Sequence, residues 1–507
     1  MANILYDALF ASLAGRQSPL LIMADGTTIS GDAFLRMVAQ QANALSAAGL
    51  GTGDRIAMQV SKTPQALATY GAAVALGAVF LPLNPAYTAN EIDYFLGDAT
   101  PRIFVCDGAR EAQMAPIAAR NAATLLTMNA DGSGGLPDRA ATAADSITPV
   151  DRASDDLAAL LYTSGTTGRS KGAMLSQGNL LSNAAALGGL WRFTDRDVLL
   201  HALPIFHTHG LFVASNVTLL TGGAMIWLPG FDLDAMLRLM PQATAMMGVP
   251  TFYTRLLDDP RLTRDLTSHI RLFVSGSAPL LAETHLGFEE RTGHRILERY
   301  GMTETNMNTS NPYEGERRAG TVGFPLPGVE VQLTENALEV APGEVGLIEV
   351  RGPNVFQGYW QMPEKTAEEL RPDGFFLTGD LGRIDADGYL HIVGRQKDLI
   401  ISGGFNVYPK EVELLLDEVP GVAESAVIGL PHPDFGEAVF AVLVSAKGAT
   451  LEPDHALAAI RSRLARFKQP KAAVVVTDLP RNTMGKVQKN LLREAYTEWF
   501  SPKVPRS

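Results

Sequence analysis

Short apolar segments that fit β-strands alternate with helix-like segments along most of this chain. Residues 55–60 are strand-like, residues 63–76 fit a buried helix, and residues 78–83 are strand-like again. Because such alternation favours a sheet covered by helices, the pattern predicts an α/β fold. The chain has 507 residues, whereas one domain usually has about 100–200, so two or more domains are expected.

The composition fits a folded enzyme and excludes several classes of partner. Hydrophobic residues make up 46% and charged residues 19%, a mixture too apolar for a disordered chain. The 42 Lys and Arg against 54 Asp and Glu give a net charge of −12, which argues against binding to nucleic acid or an anionic membrane. Cys106 is the one cysteine, and the N-terminus has no basic leader, so a cytoplasmic protein without a secretory signal is predicted.

Two stretches without charged residues, 63–90 and 202–231, are long enough to be mistaken for membrane spans. Both contain glycine, proline and asparagine, which indicates a buried helix followed by a strand in each. No membrane span is predicted.

The charge balance changes near Gly394. Residues 396–507 carry 14 Lys and Arg against 13 Asp and Glu, or +1, whereas the preceding residues carry 28 against 41, or −13. Strand-like runs at 425–430, 439–445 and 472–476 flank a helix predicted over 455–467, whereas residues 129–156 are predicted to be a surface connection. We predict a large domain over 1–395 and a small α/β domain over 396–507, joined at 395–398.

The segment 162–172, YTSGTTGRSKG, packs three glycines, six hydroxyl side chains and two cations behind the apolar residues 157–161. Glycine lets backbone N–H groups approach an anion, hydroxyls donate hydrogen bonds, and Arg169 and Lys171 add positive charge. The segment predicts a phosphate-binding loop, although a flexible turn fits equally well if it is taken alone. It differs from the G-x-x-x-x-G-K-[ST] loop because Ser170 stands in place of the second glycine.

This loop resembles the phosphate loop of the acyl-adenylate-forming superfamily, which includes acyl-CoA synthetases, firefly luciferase and nonribosomal adenylation domains. Five more segments match the superfamily in the same order: YGMTET (300–305), TGD (378–380), GRQKD (394–398), SGGFNVYP (402–409) and PRNTMGKVQK (480–489). The chain is therefore identified as a member. The resemblance implies an α/β fold with a large N-terminal adenylate-forming domain of several subdomains and a small mobile C-terminal α/β domain.

The resemblance also implies a two-step reaction with ATP, Mg²⁺ and coenzyme A. A carboxylate attacks the α-phosphate of ATP, pyrophosphate leaves, and the CoA thiol then displaces AMP from the acyl-AMP. Because two anions must approach each other, the first step needs cations and hydrogen-bond donors. The resemblance implies that Lys486 bridges the carboxylate and the α-phosphate. It also implies that Thr303 donates to the α-phosphate and that Glu304 binds magnesium. Taken alone, Lys486 would be a solvated lysine and Glu304 a surface glutamate.

The remaining implied roles concern nucleotide, hinge and CoA. The nucleotide residues are Thr163, Ser164, Gly165, Thr166, Thr167, Gly168, Lys171, Ser277, Ala278, Pro279, Glu298, Arg299, Tyr300, Gly301, Asp380 and Arg395. Lys397 is the implied hinge, and Gly403, Gly404 and Phe405 are implied to face the pantetheine arm of CoA. A protein acetyltransferase or deacetylase acting on Lys486 is a candidate partner, because acetylation removes the charge that the first step needs.

The acyl pocket is predicted from four segments that resemble malonyl-CoA synthetases: HTHGLFVASN, GVPTFYTRLL, SGSAPL and ERYGMTETNMNTSNPY. Arg255 lies in a largely apolar stretch, where an unpaired guanidinium is costly and a second substrate carboxylate would be its partner. By resemblance, malonate is bound by Arg255, His209, Ser277, Thr208 and Met307, with methylmalonate also accepted. The pattern argues against a zinc site, because there is one cysteine and no third ligand at suitable spacing.

Four alternatives stay open at this stage. Arg255 could pair with an acid of the protein itself. The chain could be a CoA ligase for another short or aryl acid, or it could load a carrier protein on another chain. It could also be an inactive nucleotide-binding protein, although Thr303, Glu304, Asp380, Arg395 and Lys486 together argue against this.

Overall fold

The computed structural model describes residues 3–163, 170–403, 405–482 and 485–500. The chain divides into two compact units, one formed by Met1–Val331 with Val350–Phe376 and the other by Gln332–Glu349 with Leu377–Ser507. Strands and helices alternate in both units, so the predicted α/β fold is confirmed. The hinge at 395–398 stays a prediction.

Two sheets of the first unit carry the ends of the predicted phosphate loop and the YGMTET segment. In spatial order, the sheet that leads into the predicted phosphate loop contains Thr124–Thr127, Ile103–Cys106, Arg55–Gln59, Val79–Pro82, Leu157–Thr163 and Lys171–Ser176. The larger sheet contains Phe324–Pro325, Asn306–Ser310, Leu297–Met302, Leu272–Ser275, Ala245–Gly248, Val198–His201, Ala224–Trp227, Pro19–Met23 and Thr28–Ser30. The central strands of both sheets are parallel, and their apolar side chains form the core.

The second unit contains two smaller sheets. The first consists of Leu338–Glu339, Glu330–Glu335, Val345–Arg351, Phe376–Ile384 and Leu390–Arg395, of which a few end residues belong to the first unit. The second consists of Phe405–Val407, Ile400–Ser402, Gly436–Ser445 and Val422–His432, with Ala472–Val476 beside Gly436–Ser445. Helices Pro409–Asp417 and Pro453–Ile460 cover one apolar face of this second sheet, and Lys489–Tyr496 covers the other.

The helices not yet named complete the fold. They are Ile4–Leu9, Gly31–Ala47, Pro64–Leu76, Ala89–Ala99, Glu111–Arg120, Gly135–Ala141, Gln177–Leu190, Asn216–Thr221, Leu233–Leu239, Pro250–Leu257, Arg264–Thr267, Ala282–Thr292 and Pro363–Glu369. Short 3₁₀ turns lie at Ala11–Leu13, Gly108–Arg110, Met240–Gln242, Gln396–Asp398 and Arg461–Arg463, and His209–Ser215 is a π-helix.

The predicted helix–strand pair after residue 63 is confirmed as Pro64–Leu76 and Val79–Pro82. The Thr63 hydroxyl caps the helix by accepting from the Ala66 N–H, and Gly77 ends it in a left-handed conformation. In the described part of the chain, no helix combines the length and the apolar character that a membrane crossing requires.

Two secondary-structure predictions are wrong in part. The helix expected over 455–467 ends at Ile460, and the chain is extended at Leu464. Leu464 and Phe467 still pack on the core, so their helical spacing was misleading. The connection expected over 129–156 contains the helix Gly135–Ala141, because Leu136 and Ala140 find buried positions.

Candidate functional site

The predicted phosphate loop lies between two antiparallel strands. Thr163, at the end of Leu157–Thr163, pairs with Lys171, at the start of Lys171–Ser176. The Tyr94 hydroxyl donates to the Ser170 carbonyl at 2.7 Å. The structure therefore places both ends of the predicted loop. The predicted residues Ser164, Gly165, Thr166, Thr167 and Gly168 lie outside the described residues.

Lys171 and Glu304 belong to one polar network. The Lys171 ammonium lies 3.2 Å from each oxygen of Glu369. The Tyr359 hydroxyl lies 2.6 Å from Glu369 Oε2 and 3.1 Å from Glu304 Oε1. The structure thus links the loop lysine to the predicted magnesium carboxylate through two residues that sequence reasoning missed. Local sequence gave no signal for the pair, since only tertiary packing brings Tyr359 to Glu304.

Glu304 lies in the tight turn between Leu297–Met302 and Asn306–Ser310, next to Thr303, and is 5% exposed. Asn306 has a φ of 49°, and a Cβ on Gly301 would meet the Asn306 carbonyl oxygen at 1.8 Å. The turn therefore fixes the backbone on both sides of Glu304. Among the described residues, no group of three acidic, histidine or cysteine side chains forms a metal cage. A single carboxylate fits magnesium that phosphate oxygens also hold.

The predicted acyl pocket contains buried histidines. His209 begins the π-helix after Thr208, and its Nδ1 lies 3.2 Å from the Ser277 hydroxyl. Burial, followed by the charge of Arg299, lowers the pKa of His207 to about 4 and the pKa of His209 well below its usual range. Both imidazoles are therefore neutral at neutral pH. The structure brings Ser277 to His209 as predicted, and Ser277 has a strained φ of 74°.

Arg299 is buried among these groups. It is 4% exposed, and its Nε and Nη2 have no hydrogen-bond partner among the residues that the structure describes. Burial lowers the pKa of Arg299 to about 9, so the guanidinium remains charged at neutral pH. A Cβ on Gly276 would lie 2.3 Å from Arg299 Cζ, so the glycine makes room for it. The buried atoms Thr208 Oγ1 and His209 Nε2 also lack partners within the described ranges.

Arg255 does not have the environment that the sequence predicted. It lies on the helix Pro250–Leu257 with an exposed side chain, and its Cζ is 5.5 Å from the ring centre of Phe231. The expected burial is wrong because Arg255 lies on the exposed side of an amphipathic helix whose buried residues are Phe252, Tyr253 and Leu256. The cost of an unpaired buried guanidinium applies to Arg299 instead.

The other residues predicted around nucleotide and acid in this unit lie on neighbouring strand ends. Glu298 is buried and contacts His285 Nδ1 at 3.2 Å, so its side chain is engaged within the protein. Met307 is buried opposite Gly301 in the strand pair. Tyr300 and Ala278 are half-buried, and Pro279 is exposed.

In the second unit, Asp380 and Arg395 are opposite each other in an antiparallel strand pair. Arg395 Nε lies 2.7 Å from Asp380 Oδ1, and Arg395 Nη1 donates to the Thr378 carbonyl at 3.2 Å. The structure therefore brings together the two residues predicted to reach the ribose. Lys397 follows in the exposed turn Gln396–Asp398.

Lys486 lies near the same pair. Its backbone N–H donates to Asn482 Oδ1 at 2.9 Å. Although the residue as a whole is exposed, desolvation of its ammonium and the charge of Arg395 lower the pKa of Lys486 to about 8. Gly403 has a φ of 59° and Phe405 is exposed, stacked 4.7 Å from Phe467. Gly404, the third residue predicted to face CoA, lies outside the described ranges.

Comparison with known proteins identifies similar chains. The AMP-binding enzyme family matches residues 12–360, and the C-terminal domain of AMP-binding enzymes matches residues 411–486. A solved structure of ATP-bound MatB from Rhodopseudomonas palustris has 57% sequence identity and a TM-score of 0.97, covering 99% of this chain and 100% of that one.

Two curated relatives act on different acids. A feruloyl-CoA synthase from Amycolatopsis is 38% identical, over 93% of this chain and 94% of its own. A malonate–CoA ligase from Arabidopsis thaliana is 36% identical, over 83% of this chain and 74% of its own.

Proposed function

This chain belongs to the AMP-binding enzyme family, and we propose that it ligates malonate to coenzyme A with ATP, giving malonyl-CoA, AMP and pyrophosphate. The reaction class, an AMP-forming acid–CoA ligase, is the one predicted from the sequence, and the family match together with the CoA-ligase relatives confirms that class. ATP and coenzyme A are its co-substrates. Methylmalonate is proposed as a second substrate.

The observation that carries malonate as the substrate is the unpaired guanidinium of Arg299. A buried charge without a partner is costly, and a ligand that supplies a carboxylate removes the cost. The neutral His209 and the hydroxyl of Thr208 offer further hydrogen bonds beside it. One carboxylate of malonate would pair with Arg299, which leaves the other for reaction. Arg255, proposed from the sequence, is the alternative clamp.

For the first step, we propose that Lys486 contacts both the reacting carboxylate and the α-phosphate, and that Thr303 donates a hydrogen bond to the α-phosphate. Glu304 would hold magnesium, which when bound would supply positive charge that offsets the charge of the phosphate oxygens. The role of Lys486 is electrostatic, since it offsets negative charge that develops as the two anions meet. Asp380 would accept from the ribose hydroxyls while Arg395 orients its carboxylate.

For the second step, we assign the pantetheine arm to the backbone around Gly403, with Gly404 and Phe405 beside it. A glycine in the left-handed region permits close approach of a thin substrate to the backbone. Rotation of the small domain about Lys397 would withdraw Lys486 and turn this segment towards the pantetheine arm. We also propose a cytoplasmic location, because Cys106 is the one cysteine. Acetylation of Lys486 is proposed because it would remove the charge that the first step needs.

Ligation of an aryl acid is the second candidate, favoured by the 38% identity to a feruloyl-CoA synthase. An aryl acid without a second carboxylate would leave Arg299 unpaired, which favours malonate over it.

The test is to incubate the protein with malonate, ATP, Mg²⁺ and CoA, and to measure AMP and the thioester by liquid chromatography. We expect equal amounts of AMP and malonyl-CoA. Ferulate, acetate and propionate are run in parallel. Faster turnover of any of these acids than of malonate would refute the proposed substrate, and thioester formation only with an added carrier protein would refute CoA as the acceptor.

A further inference from the structure

The Tyr359 hydroxyl lies between two carboxylates that the proposed reaction treats differently. Its oxygen is 3.1 Å from Glu304 Oε1, on the proposed magnesium residue, and 2.6 Å from Glu369 Oε2. Tyr359 is 2% exposed, so these contacts are shielded from solvent. A phenol has one proton, so Tyr359 donates to one of the two carboxylates at a time, and both carboxylates lie within reach of that donor.

Glu369 extends the contact to the phosphate loop. Both of its oxygens lie 3.2 Å from the Lys171 ammonium, and Lys365 lies 2.9 Å from Oε1. The Lys171 ammonium also lies 4.0 Å from the centre of the Tyr359 ring. The loop lysine is therefore held by the charge of Glu369 and by the face of Tyr359.

The local fold holds Tyr359 in place independently of its hydroxyl. Its backbone N–H donates to the Thr366 hydroxyl at 2.9 Å, and its ring packs edge-on against Phe356 at 4.8 Å. The Phe356 N–H in turn donates to the Glu304 carbonyl at 2.8 Å. Removing the hydroxyl alone should leave the ring where it is.

We propose that Tyr359 is a positioning residue that sets the Glu304 carboxylate for magnesium and, through Glu369, couples it to Lys171 at the foot of the phosphate loop. This inference rests on the proposed function for the role of Glu304. The groups that orient a metal ligand typically contribute about 10–100-fold to metal affinity. The network lets the metal and the loop be positioned together, since a shift of Tyr359 moves contacts to both.

The test uses Tyr359→Phe, Glu369→Gln and the double variant, with Tyr87→Phe as the matched control. Tyr87 lies in the same unit, and its ring packs against Phe95 in the core of the sheet that ends at the predicted loop. Among the described residues, its hydroxyl makes no hydrogen bond to Glu304, Glu369 or Lys171. Isothermal titration calorimetry gives the affinity for ATP in EDTA and in saturating Mg²⁺, and the ratio of the two is the metal's contribution. Malonate-dependent pyrophosphate release gives the Mg²⁺ concentration for half-maximal rate.

We expect Tyr359→Phe to keep the affinity for metal-free ATP, to reduce the metal's contribution about 10-fold or more, and to raise the Mg²⁺ requirement equally. Glu369→Gln should do the same, and the double variant should be no worse than the more affected single variant, because the residues act as one chain. Tyr87→Phe should behave as the unmodified protein.

An unchanged metal contribution in Tyr359→Phe, or equal loss of ATP affinity with and without metal, would overturn the inference. Additive effects in the double variant would overturn the coupling. The calorimetric arm needs no acid substrate, so a protein that binds MgATP normally but never releases pyrophosphate with malonate contradicts the proposed function and not this inference.

Discussion

Replacing Arg299 with methionine separates substrate recognition from stability. The side chain is 4% exposed, and its Nε and Nη2 have no hydrogen-bond partner among the described residues. The substitution therefore removes a buried charge without breaking a hydrogen bond of these two nitrogens. Removing an unpaired buried charge is neutral or stabilising. We therefore expect the melting temperature of Arg299→Met to stay the same or to rise.

Malonate activation should respond in the opposite direction. Removing one partner of a buried charge pair costs about 2–5 kcal/mol. At about 1.36 kcal/mol for each tenfold change in rate, kcat/KM for malonate should fall by about 30- to 5,000-fold. The corresponding value for propionate, which has no second carboxylate, should change little, so the preference for malonate should collapse.

The assay is pyrophosphate release with malonate or propionate as the varied substrate, together with thermal denaturation. Arg36→Met, on an exposed helix surface, controls for loss of an arginine. Arg255→Met is measured beside it, because Arg255 is the clamp proposed from the sequence. An unchanged malonate-to-propionate ratio in Arg299→Met refutes the assignment, and a collapse confined to Arg255→Met places the clamp at that exposed position.

Three further predictions concern other parts of the site. The pKa of Lys486 is lowered to about 8, so its ammonium is charged below that pH and neutral above it. We therefore expect kcat/KM for pyrophosphate release to fall about tenfold for each pH unit well above 8. A flat pH profile up to pH 10 would contradict the role of Lys486. Asp380→Asn weakens the contact to Arg395 and the proposed ribose bonds; the KM for ATP should rise about tenfold or more while the KM for malonate stays within twofold, and equal changes would argue against a ribose role. Gly210→Ala places a Cβ 2.0 Å from the Pro204 carbonyl oxygen. The free energy of unfolding should fall by about 1–3 kcal/mol, which lowers the melting temperature. An unchanged melting temperature in calorimetry would show that the backbone adjusts freely.

The sequence predicted the fold class because alternation and turn residues are local signals. Residues 63–76 show this well, since the capping threonine, the apolar run and the terminal glycine are adjacent in the chain. The helix expected over 455–467 failed for a related reason. Leu464 and Phe467 pack on the core from extended chain, and spacing alone does not separate that arrangement from a helix.

The acyl pocket was harder to predict, because burial depends on tertiary packing. Arg255 stands among apolar residues in sequence but on the outside of its helix, whereas Arg299 stands in the polar string ERYG and is buried. The small residue that makes room for Arg299 is Gly276, 23 positions earlier. Tyr359 and Glu369 were missed because Glu304 lies 55 positions before Tyr359.

The most direct test of the central claim, that this chain adenylates an acid whose second carboxylate it recognises, is exchange of labelled pyrophosphate into ATP without CoA. We predict exchange that requires Mg²⁺, is fast with malonate and is much slower with propionate. Exchange that is absent with malonate, or equally fast with propionate, would contradict the account.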